Sequence, residues 1–203
     1  MSRIFLLRHA QSIANEKGFL AGRMENIYLS KAGMRQRDAL AERFEGVEFD
    51  QIISSPMQRC RETIEFLGSE YQIADEFQEV DYGQWTGKKM SSLMRNRSWR
   101  EIHTNPASVR FPSGETLLEV QTRALLGLDM HLNSKAKNIL ISTHADVVKV
   151  LILHALGTHL NNVDKVQINN ASVSILEIDP KNRNNLRVIR VNDDTSKIAS
   201  LLK

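Results

Sequence analysis

Ile4-Phe5-Leu6-Leu7-Arg8-His9-Ala10-Gln11-Ser12 begins with four apolar residues that run directly into an arginine and a histidine. A short apolar run of this kind predicts a strand that is buried on both faces, as in a parallel sheet. In an open α/β sheet, ligands bind in the crevice outside the carboxyl ends of the strands. The segment therefore predicts that Arg8 and His9 lie at a ligand site.

Apolar segments and helical patterns alternate along the rest of the chain, which favours an α/β domain with a largely parallel sheet. Residues 49–53 and 138–142 predict two further buried strands. Near the end, residues 172–178 and 186–191 flank a turn and predict a hairpin. The sheet is therefore expected to carry an antiparallel edge strand.

Helices are expected between these strands. After the second strand, Ser55 is a candidate N-cap and Pro56 a candidate first helical residue. That helix would carry Met57, Cys60, Ile64 and Leu67 on one face and Arg59 in its first turn. Other helices are predicted from a Ser30 cap through Phe44, over residues 115–133, and from the strand at 138–142 to Gly157.

Composition limits the class of protein. The chain has 203 residues, 41% of them hydrophobic and 25% charged, with a net charge of +3. These values fit one globular domain over residues 1–203 and give no reason to expect a nucleic-acid or membrane partner. A single cysteine, Cys60, and the lack of an apolar leader predict a cytoplasmic protein.

Four side chains at strand ends point to the chemistry. Arg8, His9, Arg59 and His144 each follow a predicted strand, and together they suit a tetrahedral dianion such as a phosphoryl group. The arginines would keep His9 neutral and nucleophilic. A leaving alkoxide needs a proton, for which Glu79 is the candidate acid.

Several motifs together resemble the signature of the histidine phosphatase superfamily, the phosphoglycerate-mutase-like proteins. The similarity covers residues 3 to about 178, nearly the whole chain. The matching segments are residues 6–12 with Asn15, 29–33, 54–59 with Thr63, Glu79 four residues before Gly83, 112–116 and 142–145.

The resemblance implies a three-layer α/β/α sandwich that needs no metal and no cofactor. It makes His9 the nucleophile, Glu79 the proton donor, and Arg8, Arg59 and His144 the phosphate pocket. Asn15, Gly22 and Ala145 are the further predicted substrate contacts. Ala10 and Ala145 depart from the family pattern, because glycine usually stands at both positions.

Residues 83–113 carry glycine, proline and aromatic residues without a strand pattern, and we expect a helical insertion over the edge of the sheet. The stretch from Lys88 to Arg110 contains six basic residues and one acidic residue, which gives it a local net charge of +5. This stretch is either a solvated helix face or a lid that attracts a polyanionic substrate. Trp85 and Trp99 either line the cleft or anchor the insertion.

The remaining histidines and Cys60 are expected to be structural. His103, His131, His154 and His159 follow no metal-ligand spacing, and His154 falls on an apolar helix where packing is expected.

The leading function is a phosphatase acting on a small phosphorylated substrate such as a sugar phosphate or a phosphoglycerate. Alternatives are a phosphoglycerate-type mutase, a phosphoprotein phosphatase and a phosphate-binding module without turnover. The sequence does not decide between a monomer and a homodimer.

Overall fold

Strand β1 (Ser2–Arg8) lies inside the sheet and is buried on both faces. In the computed structural model, which describes residues 1–133, 135–179 and 182–201, its apolar side chains divide between two cores. Ile4 and Leu6 enter one core, and Phe5 and Leu7 enter the other. The alternation follows from the pleat, which points successive side chains to opposite faces.

Six strands form one sheet, confirming the predicted mixed architecture. The order is β3-β2-β4-β1-β5-β6, where the pairs among the first four strands are parallel and β5 and β6 add antiparallel pairs at one edge. The other strands are β2 (Gln51–Ser54), β3 (Gln72–Ile73), β4 (Asn138–Thr143), β5 (Val173–Asp179) and β6 (Asn182–Asp193).

Helices cover both faces and complete the predicted three-layer sandwich. The α-helices are α1 (Ile13–Lys17), α2 (Lys31–Arg43), α3 (Gln58–Thr63), α4 (Met90–Leu93), α5 (Arg97–Thr104), α6 (Leu117–His131) and α7 (Ala145–Ala155). Helices α6 and α7 pack in the core that contains Ile4 and Leu6. Helix α2 and the end of α3 contribute to the opposite core.

Capping explains where two helices begin. Ser30 caps α2 as predicted, since its hydroxyl accepts a hydrogen bond from the Gly33 amide. Thr116 and Glu119 form a capping box at α6, so this helix begins two residues after the predicted start.

The predicted start of α3 is wrong. Met57, rather than Ser55, is the N-cap, and the helix begins at Gln58, beyond Pro56. The Ser55 hydroxyl bonds to His144 Nε2 at 2.9 Å and accepts only a long hydrogen bond, 3.4 Å, from the Met57 amide. The helix is also shorter than predicted: it ends at Thr63 with Ile64 as its C-cap, and Leu67 lies in the 3-10 turn Glu65–Leu67 that follows.

Strand β3 was not predicted, and its two residues are both exposed, so no apolar pattern marks it. The predicted hairpin is present as β5 and β6, with β6 longer than expected. Pro180 and Lys181 of its turn lie outside the described residues.

Residues 83–113 fold into α4, α5 and 3-10 turns. Their apolar side chains Trp85, Leu93, Ile102 and Phe111 join the same buried cluster as α6 and α7. That this insertion acts as a lid stays a prediction. None of the described helices combines the length and apolar character needed to cross a bilayer.

Candidate active site

Three strands bring the predicted residues together at their carboxyl ends. His9 follows β1, His144 follows β4 as the N-cap of α7, and Arg59 lies in the first turn of α3 after β2. The His9 amide donates to Thr143 O at 2.9 Å, which fixes the two strand ends side by side. The two imidazole rings lie 5.2 Å apart between centroids.

Arg59 lies at the centre of this group and is only 1% exposed. Its Nε donates to His9 Nε2 at 3.3 Å. Its Nη2 donates to Gly22 O at 2.8 Å and contacts His144 Nδ1 at 3.2 Å. One guanidinium therefore orients both histidines.

The hydrogen bonds of His9 define its tautomer. Nδ1 lies 2.8 Å from Ala10 O, and because a carbonyl only accepts, Nδ1 must carry the proton. Burial, with Arg59 and then Arg8 nearby, lowers the pKa of His9 well below its ordinary value. His9 is therefore a neutral imidazole whose Nε2 lone pair accepts from Arg59.

His144 is also held neutral. Burial lowers its pKa well below the ordinary value, and Arg59 and His9 add to the effect. Because Arg59 donates to Nδ1, the proton lies on Nε2 and is donated to Ser55 Oγ. His144 is fully buried behind Arg59 and can orient that guanidinium.

Two buried arginine nitrogens of the described residues have no hydrogen-bond partner. Among the described residues, Arg8 Nε and Arg59 Nη1 are buried side-chain atoms that make no hydrogen bond. Arg8 is otherwise fixed by a 2.6 Å bond from Nη1 to Ile168 O. A buried cationic donor without an acceptor is costly, and both arginines line the same pocket, so this pocket is built for an anion.

Glu79 lines the same pocket with its side chain 12% exposed. Oε1 accepts from the Val80 amide at 3.0 Å, and Oε2 lies 3.6 Å from His144 Nδ1. Burial, reinforced by the charge of Asp146, raises the pKa of Glu79 to about 7. A carboxyl group with this pKa can give and take a proton near neutral pH.

The Glu79 backbone is held by a network that the sequence analysis did not predict. Arg23 Nε and Arg123 Nη2 each donate to Glu79 O at 3.1 Å. Glu115 joins the two arginines, with 2.7 Å to Arg23 and 2.9 Å to Arg123, and also accepts from the Asp81 amide. The motif at residues 112–116 is the available sequence signal for this role.

Gly83 and Gly114 let the two motif segments meet backbone to backbone. A Cβ on Gly83, whose φ is +52°, would lie 2.1 Å from Pro112 O. A Cβ on Gly114 would lie 2.2 Å from Asp81 O. Neither contact leaves room for a side chain, so the pairing that positions Glu79 requires glycine at both positions.

A second group, Asp146 with Tyr82 and Lys149, lines the pocket and was missed from the sequence. Tyr82 Oη donates to Asp146 Oδ2 at 2.7 Å, and Lys149 Nζ lies 3.4 Å from Asp146 Oδ1. Burial opposes ionisation of Asp146, but Lys149 and the tyrosine outweigh it and lower its pKa. The position of Asp146, two residues after His144, was the signal that could have found it.

The three other predicted substrate contacts also line the pocket. Asn15 uses Oδ1 to accept from the Ser12 amide at 3.0 Å, which closes a capping box. Gly22 gives its carbonyl to Arg59, and Ala145 is the first residue of α7. Their roles as substrate contacts stay predictions.

Ala10 fits its position without strain. It is absent from the described non-glycine residues with positive φ, so the left-handed conformation that favours glycine is not needed there. Its amide donates to Thr63 Oγ1 at 2.9 Å, and its methyl group is fully buried.

The spacing of three groups would also permit a metal ion. His9, Glu79 and His144 each offer a ligand atom, all within 4.8 Å of one another. Arg59, however, donates to nitrogens of both histidines and places a fixed positive charge beside them. The donor set therefore fits an anion better than a cation.

The tryptophans have different places. Trp85 is buried and anchors the insertion, whereas Trp99 lines the pocket.

Cys60 is buried as predicted, but it contacts the site, with Sγ 3.5 Å from His144 Nε2. Burial raises the pKa of this thiol to about 12, so it is not a nucleophile.

The prediction for His154 is wrong, because this residue is exposed rather than packed. It lies in the last turn of α7, directly after the buried Leu153. His131 pairs with Glu76 at 2.9 Å, and His103 pairs with Asp164 at 2.6 Å.

Comparison with known proteins agrees with this geometry. Residues 4–193 match the family described as Histidine phosphatase superfamily (branch 1). The chain belongs to this superfamily. The match covers nearly the whole sequence, so the resemblance of the individual motifs is confirmed.

Relatives in this superfamily are named for small phosphorylated substrates. Phosphoserine phosphatase 1 of Hydrogenobacter thermophilus is 27% identical over an alignment of 194 positions that covers 89% of each protein. A 2,3-bisphosphoglycerate-dependent phosphoglycerate mutase of Thermoplasma acidophilum is 21% identical and aligns over 99% of this chain and 100% of its own.

Solved structures share the fold. Bacillus stearothermophilus YhfR superimposes with a TM-score of 0.84 at 25% identity, covering 98% of this chain and 100% of that one. A phosphoserine phosphatase mutant from Entamoeba histolytica, solved with phosphoserine, has a TM-score of 0.84 at 21% identity and covers 96% and 98%.

Proposed function

We propose that the protein is a phosphomonoester phosphatase that uses His9 as nucleophile and needs no metal. The observation that carries the proposal is the pair of unpartnered guanidinium nitrogens, on Arg8 and Arg59, beside a neutral His9. A phosphoryl group placed between them would satisfy both donors and meet the Nε2 lone pair.

The first half-reaction transfers the phosphoryl group to the enzyme. As the ester binds, the Arg59 Nε–H turns from His9 Nε2 to a phosphoryl oxygen and frees the Nε2 lone pair. His9 Nε2 then attacks phosphorus, and the bond between phosphorus and the ester oxygen breaks. The electron pair stays on that oxygen, which takes the proton of Glu79 and leaves as an alcohol. Arg8 and Arg59 neutralise the charge that spreads over the equatorial oxygens in the transition state.

The second half-reaction returns the enzyme to its starting state. Water attacks phosphorus and gives its proton to the Glu79 carboxylate. The bond between phosphorus and Nε2 breaks, its electron pair returns to His9, and inorganic phosphate leaves. A pKa of about 7 for Glu79 suits both directions of proton transfer near neutral pH.

The proposed substrate is a small phosphorylated metabolite, a class for which relatives are named. Asn15, Gly22 and Ala145 are proposed to contact it. The single, buried Cys60 suits a reducing compartment, and we propose the cytoplasm.

The test is hydrolysis of p-nitrophenyl phosphate and a panel of natural phosphomonoesters in EDTA by the wild type, His9→Ala and His154→Ala. The last variant is a matched control, because His154 is exposed on α7. We expect turnover in chelator that the His9 variant loses and the control keeps. Loss in EDTA, or turnover by the His9 variant, would overturn the proposal. Turnover only after priming by a bisphosphate would favour a mutase instead.

A further inference from the structure

The side chains that line the pocket, which has a volume of about 370 Å³, fall into two chemically different groups, and we call these groups its two ends. One end is the cationic group around His9. The other end is formed largely by apolar side chains, several of them from the insertion; these are Phe19, Leu20, Met90, Trp99, Ile102 and Phe111.

The apolar end is a fixed surface because its rings pack on one another. The ring centroid of Trp99 lies 5.5 Å from that of the buried Trp85 and 4.7 Å from that of His103. Phe111 packs edge-on against Tyr82 at 4.9 Å. An apolar or aromatic group can therefore bind there without ordering loose side chains.

Lys149 and His103, which also line the pocket, each have an acidic partner. Lys149 Nζ lies 3.4 Å from Asp146 Oδ1, and His103 Nδ1 lies 2.6 Å from Asp164 Oδ2. None of the insertion's described lysine and arginine side chains lines the pocket, and the side chain of Arg97 lies outside the described residues. A second phosphate or a carboxylate would therefore compete with Asp146 or Asp164 for these two groups.

We propose that the preferred substrate is a monophosphate ester whose alcohol part is apolar, an alkyl or aryl group seated against Trp99. The proposal rests on the proposed function and adds the class of leaving group to it. It places sugar bisphosphates and small phosphorylated acids among poor substrates.

The test is a series of n-alkyl phosphates from methyl to hexyl, with glycerol 3-phosphate and fructose 1,6-bisphosphate for comparison. Simple alkoxide leaving groups keep the chemistry nearly constant along the series, so kcat/KM reports contact with the pocket. Complete burial of a methylene corresponds to about a fourfold gain. We expect kcat/KM to rise two- to fourfold per methylene until the alkyl group covers the apolar end, which we also call the apolar wall.

Variants connect the rise to the wall. Trp99→Ala should flatten the series, because the larger alkyl groups lose the apolar surface that they would cover. Met94→Ala is the matched control, since Met94 belongs to the same insertion, is 63% exposed and does not line the pocket. If Trp99→Ala does not fold, Met90→Ser removes apolar surface at a more exposed position in the same wall.

A flat or falling series in the wild type, or a higher kcat/KM for the bisphosphate, would overturn the substrate class while leaving a His9-dependent phosphatase intact. A series that rises equally in the wild type and in the wall variants would also overturn it. No His9-dependent turnover of any ester, including p-nitrophenyl phosphate, would instead defeat the proposed function and this inference with it.

Discussion

The two ends of the pocket are built from different parts of the fold. The phosphoryl end consists of residues that follow strands β1, β2 and β4, tied by backbone bonds such as His9 N to Thr143 O. The far end comes largely from an insertion held by ring packing around Trp85. The difference indicates that the reaction is fixed by the sheet, whereas the choice of alcohol is left to residues that the sheet does not constrain.

The largest expected effect is at Arg59. Arg59→Ala removes the unpartnered donor and the two bonds to the histidines. Loss of one transition-state donor lowers kcat by about 10²–10³-fold, and we expect at least this loss. Steady-state assays should show it for every ester, whatever its alcohol.

Arg61→Ala provides the control, because Arg61 is an exposed arginine on the same helix. If Arg59→Ala lowered kcat only for esters with apolar alcohols, Arg59 would act on the choice of alcohol. That result would contradict the division of the pocket into a phosphoryl end and an apolar end.

Glu79→Gln should separate esters by their leaving groups. Without the acid, kcat/KM for alkyl phosphates, which reports the first half-reaction, should fall by about 10²–10⁴-fold. The kcat/KM for p-nitrophenyl phosphate should fall much less, because nitrophenolate leaves without a proton. Equal losses of kcat/KM on both substrates would argue that Glu79 contributes to substrate binding rather than to proton donation. Glu70→Gln is the control variant, because Glu70 is exposed.

Asp146→Asn should change the pH profile. The negative charge of Asp146 raises the pKa of Glu79, so its removal lets Glu79 ionise at lower pH. Because the acid form is needed for the first half-reaction, the alkaline limb of the kcat profile should move to lower pH. A profile of kcat against pH for hexyl phosphate measures this shift. A move of the alkaline limb to higher pH would contradict the prediction that the charge of Asp146 raises the pKa of Glu79.

The smallest expected effect is at Arg95, an exposed basic residue of the insertion that does not line the pocket. Arg95→Glu should change kcat/KM for fructose 1,6-bisphosphate by less than about twofold at physiological ionic strength, where exposed charges are screened. A large rise in the KM for fructose 1,6-bisphosphate would instead support the interpretation of the insertion as a lid that attracts polyanionic substrates.

The sequence was sufficient for the strands and for the residues at their ends. An apolar run such as residues 4–7 has few alternatives to a buried strand, and the ends of parallel strands meet at one edge. It was insufficient for the start of α3, because Ser55 bonds to His144, a residue 89 positions away. The exposed strand β3 has no apolar pattern to reveal it.

The candidate site shows the same limit. Arg8, His9, Arg59 and His144 are brought together as predicted, since each lies close to a strand end. Asp146 and the network on the Glu79 backbone were missed because their contacts come from distant segments, and the signals beside them, His144 and the motif at residues 112–116, do not show those contacts. For the apolar end, the sequence left open whether Trp99 lines the cleft or anchors the insertion, and it gave no sign that Ile102 lines the pocket beside it.

The most direct test of the account is to trap the phosphorylated enzyme. Rapid quenching of wild-type protein during turnover of a ³²P-labelled ester, followed by peptide mapping, should give one alkali-stable, acid-labile phosphohistidine at His9. Label should form and decay at rates that match turnover. Full turnover with no phosphohistidine at His9, or label on another residue, would contradict the central claim.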